Sequence, residues 1–214
     1  MRQVRGLLDP SFLRRKSPTE PVILDPPSTP KCRHLHFRFA REPWERQGYC
    51  DLRREIFCEE QSIFEGTDRD EHDADALPIV AVRNRMGVGD EVVGVVRIDE
   101  RVPGVWWGSR LGVAEPYRKL TDFTAHNVFE DEAPLRFSSV GATLIYKAVS
   151  SAHAFGAQRF FAHVQRQNVP LFRRLHWDSI EEVTLHGRLH HKMEADLLCY
   201  PASTLLQERA LQPA

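Results

Sequence analysis

The chain has 214 residues, enough for one α/β domain with a full core. Its 29 lysines and arginines face 30 aspartates and glutamates, for a formal net charge of −1. That balance excludes the one-sign field that nucleic acid or an anionic membrane would require, so any anion must be caught locally. Four scattered cysteines, Cys32, Cys50, Cys58 and Cys199, form no C-x-x-C pair, which points to reduced thiols in a cytoplasmic protein and away from a disulfide frame. No apolar run approaches the length of a membrane span, and no signal-peptide core follows the first basic residues, so no membrane partner is expected.

In chain order, residues 1–34 are basic and then proline-rich and read as an irregular arm; a single domain is expected over 35–202, and residues 203–214 as a tail. "LHFRFA" alternates as a half-buried strand does. "WERQGYCDLRREIFCEEQ" carries an apolar face through Leu52, Ile56 and Phe57 and reads as an amphipathic helix followed by an acidic loop. The β-branched runs "LPIVAV" and "EVVGVVRI" join through a turn signal at Gly87, Gly89 and Asp90, predicting a hairpin. "GVWWGSRLGV" is a further strand whose Gly108 and Gly112 mark a bulge or the close approach of another backbone or a ligand. Residues 119–135 lack periodicity and read as an inserted loop. Val140, Leu144, Ile145, Ala148, Val149 and Ala152 then recur at helical spacing up to a C-terminal glycine, Gly156. "RFFAHV" is a buried strand, "NVPLFRRLHW" a short basic helix, and "SIEEVTLH" and "KMEADLLCY" are two closing strands separated by "GRLHH".

At the mouth of the long helix stands "RFSSVGA". A helix N-terminus offers unpaired N–H groups and a positive dipole end, and small residues let phosphate oxygens reach them. Arg136, Ser139 and Gly141 occupy three of the fixed positions of the Q/R-x-x-G-x-G/A pyrophosphate loop, with the middle glycine replaced. Together with "RLGVAEPYRK" before it and "HVQRQNVPLF" after it, the run from Arg110 to Trp177 resembles the GCN5-related N-acetyltransferases (GNAT). The resemblance implies a mixed central sheet of about six to seven strands flanked by helices and splayed between its fourth and fifth strands, with acetyl-CoA or another acyl-CoA as co-substrate lodged in the gap. It implies coenzyme contacts from Leu111, Gly112 and Val113, from Phe137, Ser138, Ser139, Val140, Gly141 and Ala142, and from Asn168 and Phe172. Either Arg118 or Arg136 would hold the pyrophosphate, because the loop begins, at Arg136, eighteen positions after Arg118. By itself, Asn168 also suits a helix N-cap.

The front half carries a second resemblance. Arg53 and Phe57, four apart, precede Asp70 and Asp73, and Arg97 follows "VVGVV". This pattern is similar to the substrate side of acyl-homoserine-lactone synthases and some small-molecule acetyltransferases, although Trp107 stands where the synthases place a glutamate before the arginine equivalent to Arg110. As a whole the chain resembles a bacterial branch of acetyltransferases found alongside nitrilases and linked to nitrogen starvation. What is implied is an N-acetyltransferase acting on the amine of a small molecule in a ternary complex. A lactone-synthase-like enzyme and a coenzyme-binding module of degenerate GNAT fold are the alternatives.

Acyl transfer to an amine needs a base, oxyanion donors and an acid for the leaving thiolate. Glu100 and His163 are the candidate bases: the first could equally be a solvated turn charge, the second a hydrogen-bonded core histidine. Many family members place a tyrosine as the acid where this chain has Phe172. Asp70 and Asp73 could hold the acceptor's amino group or stay in water. "GRLHHKM" resembles a Gly-x-Pro-His-x-x-Met turn of these enzymes, which makes His190 and His191 pocket candidates. No metal is expected: the Asp68–Asp70–Asp73 run lacks the EF-hand glycine and terminal glutamate, and His186, His190, His191 and Cys199 lack zinc spacing. Cys58 reads as a packing residue. Trp106-Trp107 and the final strands offer a surface for a homodimer.

Overall fold

The computed structural model describes residues 34–85, 87–128 and 138–202. The expected arm up to residue 33, the tail from 203, and Arg136 and Phe137 lie outside the described residues. One eight-stranded mixed sheet runs through the rest in the order β5-β1-β2-β3-β4-β6-β8-β7. Its strands are β1 (His34–Phe39), β2 (Leu77–Arg85), β3 (Val88–Val102), β4 (Val105–Val113), β5 (Thr124–His126), β6 (Arg159–Gln165), β7 (Trp177–Leu185) and β8 (Arg188–Ala195). The sheet exceeds the expected six to seven strands partly because the stretch read as an inserted loop contains β5, which pairs parallel to β1 through His34↔Thr124 to His36↔His126. Three residues are too short for periodicity to register.

Helix α1 (Pro43–Arg54) opens on a capping box between Glu42 and Glu45, with proline in its first turn. It runs on into a π-helical segment, Glu55–Glu60, a geometry that recurs beside functional sites. Helix α2 (Val140–Ala154) is capped by Ser139, whose side chain accepts from the Ala142 amide at 3.2 Å, and it is followed by Gly156 in the left-handed region at φ +93°. Helix α3 is short, Val169–Arg174. Among the described residues no helix is long and apolar enough to cross a membrane.

β2 shows why "LPIVAV" is continuously apolar: Ile79 and Ala81 join the cluster beneath α2, while Val80 and Val82 join Tyr49, Leu52, Ile56 and Phe57 of α1 and its π-helical extension. A strand covered on both faces has no polar side to alternate with. Trp106 belongs to the α2-side core, 7 % exposed and stacked on Phe155, so it is not the dimer surface expected of it. The closing strands turn at His186-Gly187, which draws "RLHH" into β8, so His190 and His191 are strand residues with opposite orientations.

Candidate active site

The parallel pair β4–β6 is joined at only four positions, Val105↔Arg159 to Gly108↔Ala162. Beyond Gly108, β4 stays with β3, while His163–Gln165 pair with Lys192, His191 and His190 of β8. The strands therefore part, and a bulge goes with the parting. Val95 faces Gly112 and Arg97 faces Ser109, so two β4 residues, Arg110 and Leu111, lie opposite Val96 alone. Arg110 takes φ +53°, a conformation that costs a non-glycine residue about 1–2 kcal/mol and needs its surroundings to hold it. Its own guanidinium does so, donating from Nε and Nη2 to the Asp68 carbonyl at 3.1 and 2.7 Å and from Nη2 to Asp70 Oδ2 at 3.0 Å. Of the two roles expected of Gly108 and Gly112, a bulge or a close approach, these glycines serve close approach, and the bulge falls between them at Arg110 and Leu111. A Cβ on Gly112 would lie 2.7 Å from Ile56 Cδ1, and one on Gly108 would lie 3.0 Å from Phe160 Cε1.

A cavity of about 490 Å³ fills the wedge. Of the residues singled out from the sequence, Phe57, Asp70, Arg97, Leu111, His163, Asn168, Phe172 and His190 line it. Asn168 stands at the N-cap position of α3 but makes no side-chain capping bond, so its amide is available to the cavity. Phe172 packs edge-on against Trp177, with ring centres 5.0 Å apart.

His163 is exposed toward the cavity and lies 4.9 Å, ring centre to ring centre, from Trp107; it is not a core histidine. Burial in the cleft, then the charges of Arg101, His190 and Lys192, hold its pKa below the usual 6.5. The imidazole is therefore neutral at neutral pH. His190 is 8 % exposed and shares a hydrogen bond of 2.9 Å between Nδ1 and the Arg188 carbonyl. A carbonyl only accepts, so in neutral His190 the proton sits on Nδ1 and Nε2 keeps its lone pair.

Behind the cavity wall three arginines interlock with three aspartates. Arg53, 1 % exposed, uses all five of its N–H donors: Nε to Asp68 Oδ2 at 2.8 Å, Nη1 to Tyr49 Oη at 2.9 Å and to Asp73 Oδ1, and Nη2 to the Asp68 carbonyl at 3.3 Å and Asp73 Oδ2 at 3.0 Å. A saturated, buried guanidinium has nothing left for a substrate, so Arg53 is a structural residue and the substrate contact expected of it is withdrawn. Arg97 holds Asp70 with both terminal nitrogens, at 2.6 and 2.8 Å, and donates to Ser109 Oγ at 2.9 Å. Burial works to raise the Asp73 and Asp70 carboxyls. Hydrogen bonds and charge from Arg53 and Arg97 outweigh it and hold both below the ordinary value of 3.8. Asp73 accepts from Arg53, Arg97 and the Asp70 amide and is no part of the cavity lining.

Three further expectations shift. Glu100 is exposed outside the cavity, its Oε1 accepting from the Gly104 amide at 2.7 Å, so it caps the β3–β4 turn and does not act as a base. Arg118 donates to Glu60 with both terminal nitrogens and to the Val113 carbonyl with Nε at 2.8 Å, which leaves no open fork for a pyrophosphate. His191 shares a hydrogen bond with Ser179 Oγ at 2.8 Å, outside the cavity. Ser139 to Ala142 form the first turn of α2, where the Val140 and Gly141 amides have no intrahelical acceptor. Among the described residues a Cβ on Gly141 would meet only Val113, at 3.8 Å, which places this turn beside the end of β4. Gly112 and Val113 lie on the unpaired side of β4 but do not line the cavity.

The sequence reading left Arg110, His72 and Arg101 out of the site, and all three line the cavity. A period-two count along β3 would have placed Asp99 and Arg101 on the same face as Arg97. Among the described residues no group of three or more His, Cys, Asp or Glu side chains is arranged to hold a metal ion.

No protein-family model and no curated protein matches the chain. Solved structures do. A candidate N-acetyltransferase from Lactobacillus plantarum superposes with TM-score 0.61 at 16 % identity, over 77 % of this chain and 99 % of that one. An acyl-CoA N-acyltransferase from Pseudomonas aeruginosa gives 0.52 at 15 %, over 75 % and 98 %. The CoA-dependent acyl-homoserine lactone synthase BjaI, solved with SAM and isopentyl-CoA, gives 0.52 at 15 %, over 84 % and 90 %. At such identities the likeness is one of fold, and the fold is that of the GCN5-related N-acetyltransferases.

Proposed function

We propose that the protein is an acyl-CoA-dependent N-acyltransferase, using acetyl-CoA and a small amine in a ternary complex. The observation that carries this reading is the parting of β4 from β6 after Gly108↔Ala162, with the N-terminal turn of α2 beside the end of β4. An unpaired strand edge can hydrogen-bond an amide-bearing chain such as pantetheine, and a helix N-terminus suits a pyrophosphate. The fold shared with an acyl-CoA N-acyltransferase supports the same reading.

Asn168, Phe172 and Leu111 would flank the thioester. The neutral imidazole of His163 accepts the proton of the attacking amine as the C–N bond forms and the C–S bond breaks. Phe172 has no hydroxyl, so in this mechanism the proton returns to the thiolate through water. The resemblance to the branch found alongside nitrilases supports a bacterial, cytoplasmic setting.

The test is release of coenzyme thiol from acetyl-CoA in the presence of an amine panel, alongside thermal unfolding with acetyl-CoA. Acceptor-dependent release together with a raised Tm is expected. A raised Tm without release by any amine would favour a coenzyme-binding module, and detection of a lactone product a synthase. No shift at millimolar acetyl-CoA would sink the proposal.

A further inference from the structure

Arg101 sits on β3 two residues after Asp99 and four after Arg97, at a register irregularity between Glu100 and Val102, and like Arg97 it lines the cavity. Its Nε donates to Asp99 Oδ2 at 2.8 Å, and its guanidinium lies over the Trp107 ring at 4.5 Å from the centroid. Two contacts, an ion pair at Nε and the Trp107 ring beside the guanidinium, hold the fork before anything binds. Asp99 is 3 % exposed and its Oδ1 is buried with no hydrogen-bond partner among the described residues. Apart from His72 Nδ1 at 3.9 Å, Arg101 is the partner of this carboxylate among the described residues.

Neither Nη1 nor Nη2 of Arg101 has a partner among the described residues, although the side chain is only 28 % exposed and lines the cavity. The other cavity arginines have no such pair to offer. Arg97 places both terminal nitrogens on Asp70, and Arg110 has Nη2 on the Asp68 carbonyl and Asp70. Lys192, 5.9 Å from the same indole, is paired with Glu181 at 3.3 Å. An open, oriented guanidinium fork matches the two oxygens of a carboxylate.

Its neighbour fixes the rest of the ligand. Trp107 carries Arg101 on its ring and His163 at 4.9 Å, so fork and imidazole are held against a single indole. A carboxylate on the fork would bring its ligand to the same indole that carries the imidazole. We infer that Arg101 is the carboxylate receptor of the acceptor site and that the acceptors are amines that carry a carboxylate, amino acids among them. The inference rests on the N-acyltransfer reading and narrows its substrate class.

The experiment measures thiol release from acetyl-CoA with the proteinogenic amino acids, and then with the amide and the decarboxylated amine of each acid that reacts. The acids are expected to exceed their amides about 10- to 100-fold in kcat/KM. In Arg101→Gln that preference should collapse through a rise in KM for the acid, and Arg101→Lys, which keeps the charge but not the fork, should restore only part of it. Amides equal to acids in the native protein, or an acid preference surviving in Arg101→Gln, would overturn the inference while leaving acyl transfer intact. Binding of the same acids without acetyl-CoA, followed by saturation-transfer NMR, separates the two proposals. Arg101-dependent binding without turnover keeps the receptor and sinks acyl transfer; neither binding nor turnover sinks both.

Discussion

Two arginine groups, one mostly behind the cavity wall and one opening into the cavity, end in opposite conditions. Arg53, Arg97 and Arg110 meet Asp68, Asp70 and Asp73 in a buried, charge-balanced lattice in which Arg53 has no donor left. Arg101 is held through one nitrogen and an aromatic face, and both ends of its fork stay open. Neither residue type nor membership of a motif tells the two apart. The number of uncommitted donors does. The lattice ties the acidic segment after the π-helix to β3 and to the left-handed turn at Arg110, and so keeps the wedge open. The Arg101–Trp107–His163 group is built to receive something.

The largest effect should come from breaking the lattice. Arg53→Met leaves Asp68 and Asp73 short of their buried partner, and removing one side of a buried pair costs about 3–5 kcal/mol. Urea unfolding should show that loss, and a change below about 1 kcal/mol would erase the distinction drawn above. His163→Gln tests the other side. It should lower kcat/KM by about 10²–10³ with stability unchanged within about 0.5 kcal/mol, because the residue is exposed and its ring lies against Trp107 in the cavity. Since burial and neighbouring cations hold its pKa below 6.5, kcat/KM in the native protein should climb with pH through a midpoint under 6.5 and then level off. The variant should lack that limb.

A smaller effect separates the groups by pH. The Asp70 and Asp73 carboxyls are held below 3.8 in the folded protein. A depressed folded-state value means the unfolded chain takes up protons first as pH falls, so the lattice contributes fully above the ordinary carboxylate pKa and is lost progressively below it. The urea midpoint should be level above about pH 5 and fall beneath about pH 4, with a shallower fall in Asp73→Asn. An equally steep acid limb in that variant would place the titrating groups elsewhere.

Much of this architecture was legible in the sequence. The α2 periodicity and its Gly156 stop were legible because those signals are local, while the splayed α/β sheet was forecast from the family resemblance carried by the run from Arg110 to Trp177. What escaped was set by pairing across the sheet. Nothing at Arg110 announces a left-handed residue, since the bulge depends on its register against Val95–Arg97 and on aspartates 40 and 42 positions away. The assignment of Arg53 to a substrate failed for a similar reason: a motif gives the residue type, whereas its donors are counted only when Tyr49, Asp68 and Asp73 are brought around it. Glu100 looked like a base at a strand end until Gly104 took its carboxylate.

The smallest change is the sharpest probe of the comparison. Asp99→Asn keeps the shape and an oxygen for Arg101 Nε but removes the charge. In the lattice such a loss would strand a buried partner. Here the native carboxylate already carries an unpartnered buried oxygen, and the gain from its ion pair is offset by that desolvation, so the stability change should stay within about 1 kcal/mol. The consequence should appear in binding: a guanidinium held by a neutral hydrogen bond is less firmly oriented, and the KM for an acid acceptor should rise a few-fold with kcat nearly constant. If Asp99→Asn unfolds the protein as readily as Arg53→Met, the Asp99–Arg101 pair belongs to the scaffold, and the open fork is a by-product of packing.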